Sequence, residues 1–191
     1  GQWNEPKPLS EKINSRYNEY SPRMDATGNI FFASDRPQGF GQGDLYISHK
    51  TSENSFGPPI NLGNTLNSMF GEWNVEINPE SDILIFESSQ RKTNLSSYGD
   101  LYINLKRNDN CTLPQSIKQV NTSGSDLYPF FDFKSDRLYY TSSKTLSSTD
   151  TDFFQTPLSP LLNKYRQTAE LPTKYLAVVN RSTHNISTGS Y

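Results

Sequence analysis

A period of about 54 residues restricts this chain more than any other feature. Its strongest strand-forming runs are GNIFFASD (28–35), DILIFESS (82–89) and DRLYYTSS (136–143), whose aromatic positions Phe32, Phe86 and Tyr140 stand 54 residues apart each time. Upstream, Asn14, Asn67 and Asn121 recur at intervals of 53 and 54; downstream, Asp44, Asp100 and Asp152 recur at 56 and 52. Between the asparagine and the aromatic lie NEYSPRMD, GEWNVEIN and SDLYPFFD, each an acid followed by an aromatic or aliphatic residue. Four marks in one order at nearly one spacing define an internal repeat, which has to be explained before any single motif is weighed.

Each unit reads as a series of short strands. In the first, residues 19–24 and 29–34 flank the turn DATGN, 44–48 form a third strand, and PPINLG (58–63) forms a fourth; SIKQV (116–120) is its counterpart in the second unit. In DLYIS, Leu45 and Ile47 point to one face and Tyr46 and Ser48 to the other. The second strands are apolar at nearly every position, as where both faces of a sheet are covered. Helical spacing finds its best match in SPLLNKYRQTAEL (159–171), against which its prolines count. A four-stranded unit of this size does not bury both faces alone, whereas sheets stacked around an axis cover one another. The expected fold class is therefore all-β, a β-propeller of four-stranded antiparallel blades. Three clear repeats fall at about 16–68, 69–121 and 122–162, and 163–191 is a degenerate or truncated fourth. Residues 1–15 supply the outer strand of a preceding or closing blade.

Composition narrows the partners. Aromatic residues make up 13% of the chain, with 11 Tyr and 11 Phe, too many large rings for a disordered polymer. A net charge of −2 without a basic run argues against nucleic acid. No apolar run approaches the ~20 residues of a membrane helix. The opening GQWNEPKPLS lacks the charged start and apolar core of a secretory leader. One cysteine, Cys111, rules out an internal disulfide and a thiolate metal cluster, and reads as a small apolar filler. His49 and His184 have no second histidine at ligand spacing, and no G-x-S-x-G elbow occurs.

The first unit, NEYSPRMDATGNIFFASDRPQGFGQGDLYIS, resembles the TolB-type, WD40-like β-propeller repeat. Glu19, Ser21, Pro22, Asp25, Gly28, Phe32, Ser34, Arg36, Gly43, Asp44 and Tyr46 fit its pattern. FGPPINLGNTLNS (56–68) and WNEPKPLSEKINS (3–15) resemble the linker of the variety found in bacterial envelope proteins with OmpA-like peptidoglycan-binding domains. The second unit keeps Glu72, Pro79, Phe86, Ser88, Gly99, Asp100 and Tyr102 with Arg91 displaced; the third keeps Asp126, Pro129, Tyr140, Ser142 and Asp152 and loses the glycines. The resemblance covers about residues 3–155. It implies a periplasmic or extracellular setting and a scaffold or binding module for a protein, peptidoglycan-associated or glycan partner. Three blades do not close a ring, so the expectation is a small four-bladed ring, half of a six- to eight-bladed ring, or a homodimer completing the ring; part of a larger ring is favoured.

Glu19, Glu72 and Asp126 begin equivalent inner strands. They are candidates to line a central channel and attract a cation or basic peptide, or else to bind neighbouring backbone. Arg36 is a loop candidate for a ligand, and Trp73 for a stacking surface. Asp44, Asp100 and Asp152 are read as structural, taking backbone donors where the third strand begins, with glycine reversing the loop before it. No catalytic residue, metal ligand or cofactor is assigned; calcium at the channel acids is the one cation considered. The alternative function is a glycoside or lactone hydrolase using the channel carboxylates. Trp3-Asn4-Glu5-Pro6 is similar to the opening of five-bladed glycosidases, which need two paired carboxylates, but it aligns with the linker Phe56-Gly57-Pro58-Pro59.

Overall fold

The computed structural model describes residues 4–53, 55–107, 110–148 and 150–172. Among the described residues the chain is all-β apart from one helix, and the antiparallel sheets are open, none closing into a barrel. In the first sheet, β1 (Glu19–Met24), β2 (Ile30–Ser34) and β3 (Asp44–Ser48) are followed by a hairpin of β4 (Lys50–Ser52) and β5 (Ser55–Phe56). The two-residue β6 (Ile60–Asn61) then returns beside β3, giving the order β1-β2-β3-β6. In the second, β7 (Glu72–Ile77), β8 (Ile83–Ser88), β9 (Asp100–Arg107) and β10 (Asn110–Cys111) lie in that order, and β11 (Gln115–Ser116) also pairs with β9. The third is β12 (Asp126–Asp132), β13 (Arg137–Ser142) and β14 (Asp152–Pro157).

Local chemistry sets the hairpins. Asp25 Oδ1 accepts the amides of Thr27 and Asn29, both at 2.9 Å, which closes the β1–β2 turn. Asn78 does the same for Asp82 (3.0 Å) and Ile83 (2.8 Å), and Asp132 for Lys134 (3.0 Å) and Ser135 (3.2 Å). The first strand of each of the three larger sheets carries an irregularity at one position. Pairing slips between Tyr20 and Arg23, between Trp73 and Glu76, and between Leu127 and Phe130. Inside each slip a non-glycine residue takes positive φ: Ser21 (50°), Asn74 (46°) and Tyr128 (51°). These are β-bulges, which re-aim side chains at about 1 kcal/mol or more of backbone strain each.

The sheets pack face on face, and two cores form between them. Leu45 and Phe31 of the first sheet meet Val75, Leu84, Phe86 and Tyr102 of the second. Ile85, Leu101 and Ile103 of the second meet Phe131 and Leu138 of the third. The strands β2 and β8 are buried along their whole length for this reason. Strand β7 contacts both β1 and β12, so the three bulged strands run as neighbours.

The third unit departs from expectation. Where a fourth strand was anticipated, α1 (Leu158–Thr168) forms and packs Leu158, Leu161, Leu162 and Tyr165 into the second core. That spacing is helical, and Pro160 falls in the first turn, where its missing N–H breaks no helical bond. Asp136 holds the helix start, accepting from Ser159 N at 2.8 Å and Ser159 Oγ at 2.7 Å. The repeat boundary expected at 162/163 therefore falls inside a helix. Of the partial blade expected over 163–191, residues 163–168 belong to α1, and residues 173–191, like Trp3, lie outside the described residues.

Candidate functional site

The three strand-entry acids are enclosed by their own loops. Glu72 is fully buried and accepts from Ser68 N (2.7 Å), Ser68 Oγ (2.6 Å), Ser88 Oγ (2.8 Å) and Arg91 Nη2 (2.8 Å). Glu19 accepts from Ser15 N (3.2 Å), Ser15 Oγ (2.6 Å) and Arg36 Nη2 (2.9 Å). Each guanidinium also reaches the carbonyl two residues before its serine, Leu66 for Arg91 and Ile13 for Arg36, and lies over an aromatic pair. Arg36 sits 5.2 and 5.0 Å from the ring centres of Phe32 and Tyr46, and Arg91 5.5 and 5.2 Å from those of Phe86 and Tyr102. Arg36 is thus held by Glu19, Ile13 O and two rings of its own unit.

The third copy of this device is incomplete. Asp126 is fully buried and accepts from Thr122 N at 2.6 Å and Thr122 Oγ1 at 3.1 Å, but its Oδ1 has no hydrogen-bond partner. Lys144 replaces the arginine; its Nζ stands 4.7 Å from the Phe154 ring centre, and among the described residues no ion pair joins it to Asp126. Burial raises the Asp126 pKa, against the favourable pull of Ser142 and Thr122.

A second set of polar residues ties the third strands. Asp44 accepts from Phe40 N (2.6 Å), Gly41 N (3.2 Å) and Asn61 Nδ2 (2.8 Å), and Asp100 from Leu95 N (2.7 Å) and Ser96 N (3.2 Å). Asp152 is exposed and makes no such bond among the described residues. The glycines of the loop before β3 do not reverse it, since its positive φ falls on Gln38 (72°). Gly43 is needed for close approach instead, because a Cβ there would stand 2.1 Å from the Trp73 ring. Asn67 brackets Leu45, accepting from its N at 2.8 Å and donating to its O at 3.1 Å; Asn121 brackets Leu101 at 2.8 and 2.9 Å. Asn14, at the corresponding place, donates to Leu9 O at 3.0 Å.

An open cavity lies at the bulges. It has a volume of about 290 Å³ and is lined by Tyr20, Trp73, Asn74, Glu87 and Tyr128. Tyr20 meets Trp73 edge-on, with centres 5.3 Å apart. Ser21 Oγ donates to Asn74 Oδ1 at 2.5 Å, and Asn74 Nδ2 donates to Glu87 Oε2 at 2.5 Å, a chain from β1 across β7 into β8. Burial pushes the Glu87 pKa up to about 7, with the Asn74 bond opposing it. Glu19, Glu72, Asp126 and Arg36 do not line this cavity; Trp73 does.

Glu87 and Asn74 were not singled out from sequence, yet a signal exists. Glu87 pairs with Trp73 in the sheet, and the residues in the same register are Ala33 opposite Tyr20 and Thr141 opposite Leu127. A carboxylate where the other two units carry Ala and Thr marks a departure from the repeat. Among the described residues, no three His, Cys, Asp or Glu side chains gather as a metal site would require, and no helix is long and apolar enough to cross a membrane. No protein-family model matches the chain, and no curated protein is significantly similar to it.

Proposed function

We propose that this chain is a non-catalytic binding module of the TolB-like β-propeller class, working in a bacterial envelope or secreted protein. Its pocket at the bulged inner strands receives a protein or cell-wall glycan partner. The observation that carries this reading is the cavity at the three bulges. Two of the left-handed non-glycine residues, Asn74 and Tyr128, line a concave, aromatic-walled space and a third, Ser21, hydrogen-bonds to Asn74, and strain of that kind gathers at ligand clamps. Face-on-face sheets with their first strands adjacent support the propeller arrangement. So does the identical treatment of strand starts, where Glu72 N donates to Gly43 O and Asp126 N to Gly99 O, both at 2.9 Å.

A binding role is favoured over hydrolysis because one carboxylate lines the cavity, whereas glycoside hydrolysis uses a pair. The buried strand-entry acids serve the fold. The third sheet supports an arc that continues or pairs with a second copy, since Phe153 on its last strand is 86% exposed where its counterparts Leu45 and Leu101 are fully buried. The test is co-sedimentation with purified peptidoglycan and capture of envelope proteins, using the parent chain beside Trp73→Ala and Tyr128→Ala. Binding lost in both variants at an unchanged melting temperature is the expected result. Variants that bind as the parent does would remove the pocket from the function.

A further inference from the structure

The cavity carries a statement about the chemistry of its ligand. Elsewhere on these strands three buried or half-buried glutamates have guanidinium partners, Glu19 with Arg36, Glu72 with Arg91 and Glu76 with Arg23, while Asp126 is held by Thr122 of its own loop. Glu87 is only 8% exposed, and no salt bridge reaches it among the described residues. Its single hydrogen bond, from Asn74, occupies Oε2; Oε1 has no partner among the described residues. Asn74 is committed at its other end, because Ser21 already uses its carbonyl oxygen. No basic side chain lines the space, and three rings do. Tyr128 and Tyr20 are 60% and 41% exposed, so their faces remain open.

A buried carboxylate without a counter-ion, walled by aromatic rings, is the environment that attracts an organic cation. The anion supplies charge, and each ring supplies the negative face of its quadrupole. We propose that this cavity binds one cationic group of side-chain size, an ammonium or guanidinium carried by the partner. Glu87 is its counter-ion, and Tyr20, Trp73 and Tyr128 are its walls. A space of about 290 Å³ accommodates such a group and part of its stem. The inference rests on the binding-module reading and names what the pocket takes.

The test is a titration of the intact chain at pH 8, followed by Trp73 fluorescence and by amide chemical shifts. The probes are N-acetyl-lysine amide, N-acetyl-arginine amide and the neutral N-acetyl-norleucine amide. At least one cationic probe should bind tenfold or more tightly than the neutral one, shifting resonances of Tyr20, Trp73 and Tyr128; comparing the two cations assigns ammonium or guanidinium. Glu87→Gln should lose at least tenfold in that affinity, while its melting temperature does not fall. A neutral probe that binds equally well, or Glu87→Gln with unchanged cation affinity, would overturn the proposal. Partner binding that survives Glu87→Gln but not Trp73→Ala sinks the cation assignment alone and leaves the binding module standing. No response from Trp73 to probe or partner sinks both.

Discussion

Replacing Arg91 by alanine tests whether the acid–arginine device holds each sheet's entry together. The side chain donates through Nη2 to Glu72 and to Leu66 O, and through Nε to Ser88 Oγ at 2.7 Å. It also covers the rings of Phe86 and Tyr102. Glu72 is fully buried, so removing the guanidinium leaves a charge in low dielectric, a change that costs about 3–5 kcal/mol. Ser68 and Ser88 still supply three hydrogen bonds, which places the loss near the lower end, about 3 kcal/mol. For a domain of this size that is a drop of roughly 10 °C in melting temperature. Urea denaturation followed by Trp fluorescence measures it. The loss should persist at 1 M salt because a buried pair is poorly screened. Arg36→Ala should cost clearly less, about 1–2 kcal/mol, because Glu19 keeps 17% of its side chain exposed. Adding Glu72→Gln to Arg91→Ala should recover part of the loss by neutralising the stranded charge. Equal losses at Arg91 and Arg36, or no recovery in the double variant, would refute the reasoning.

Three further outcomes follow from the same contacts. Asn67→Ala removes the acceptor of Leu45 N and should cost about 1–3 kcal/mol in denaturant, while Asn14→Ala, which brackets no strand, should cost under ~0.5 kcal/mol. Lys144→Arg should reach the unsatisfied Oδ1 of Asp126 and raise the melting temperature by a few degrees, roughly 1 kcal/mol; no rise would show that the loop around Lys144 forbids the pairing. The native state holds the Glu87 proton more tightly than the unfolded chain, so Glu87 stabilises most below about pH 4.5. That contribution, about 3 kcal/mol, should be lost as pH rises through about 7. Burial raises the pKa of Glu76, Asp100 and Asp126 in the same direction, and the pKa of Asp25, Asp35 and Asp132 is lowered; both sets are common to the two chains, so the difference between them isolates Glu87, and on acidification Glu87→Gln should fall behind the parent in stability. Identical pH profiles for the two chains would count against a buried, protonatable Glu87.

The strands were legible because their signals are local. Alternation over 44–48 and the turn DATGN place β3 and the β1–β2 hairpin correctly, since side-chain alternation and a carboxylate accepting nearby amides both operate within a few residues. The period brought Asn67, Asn121, Glu72 and Asp126 into equivalent positions but not their roles. The asparagines meet partners 20 to 22 residues away only after strands pair, and Glu72 adds Ser88, 16 residues away, to Ser68 of its own loop. The helix at 158–168 was half visible: its apolar spacing is in the sequence, while its replacement of a strand follows from the room left between the second and third sheets.

The chain by itself determined what recurs: acid, first strand, apolar strand, and aspartate at the head of the next. Tertiary structure alone decided which acid came to line the cavity. Glu19, Glu72 and Asp126 looked alike in sequence to channel residues, yet packing surrounds them with their own loops. Glu87 looked like one more strand residue, yet stacking one sheet on another left it buried beside three rings without a cation. Hydrogen bonds within a loop are set by near neighbours along the chain, whereas desolvation is set by whichever surface comes to lie opposite.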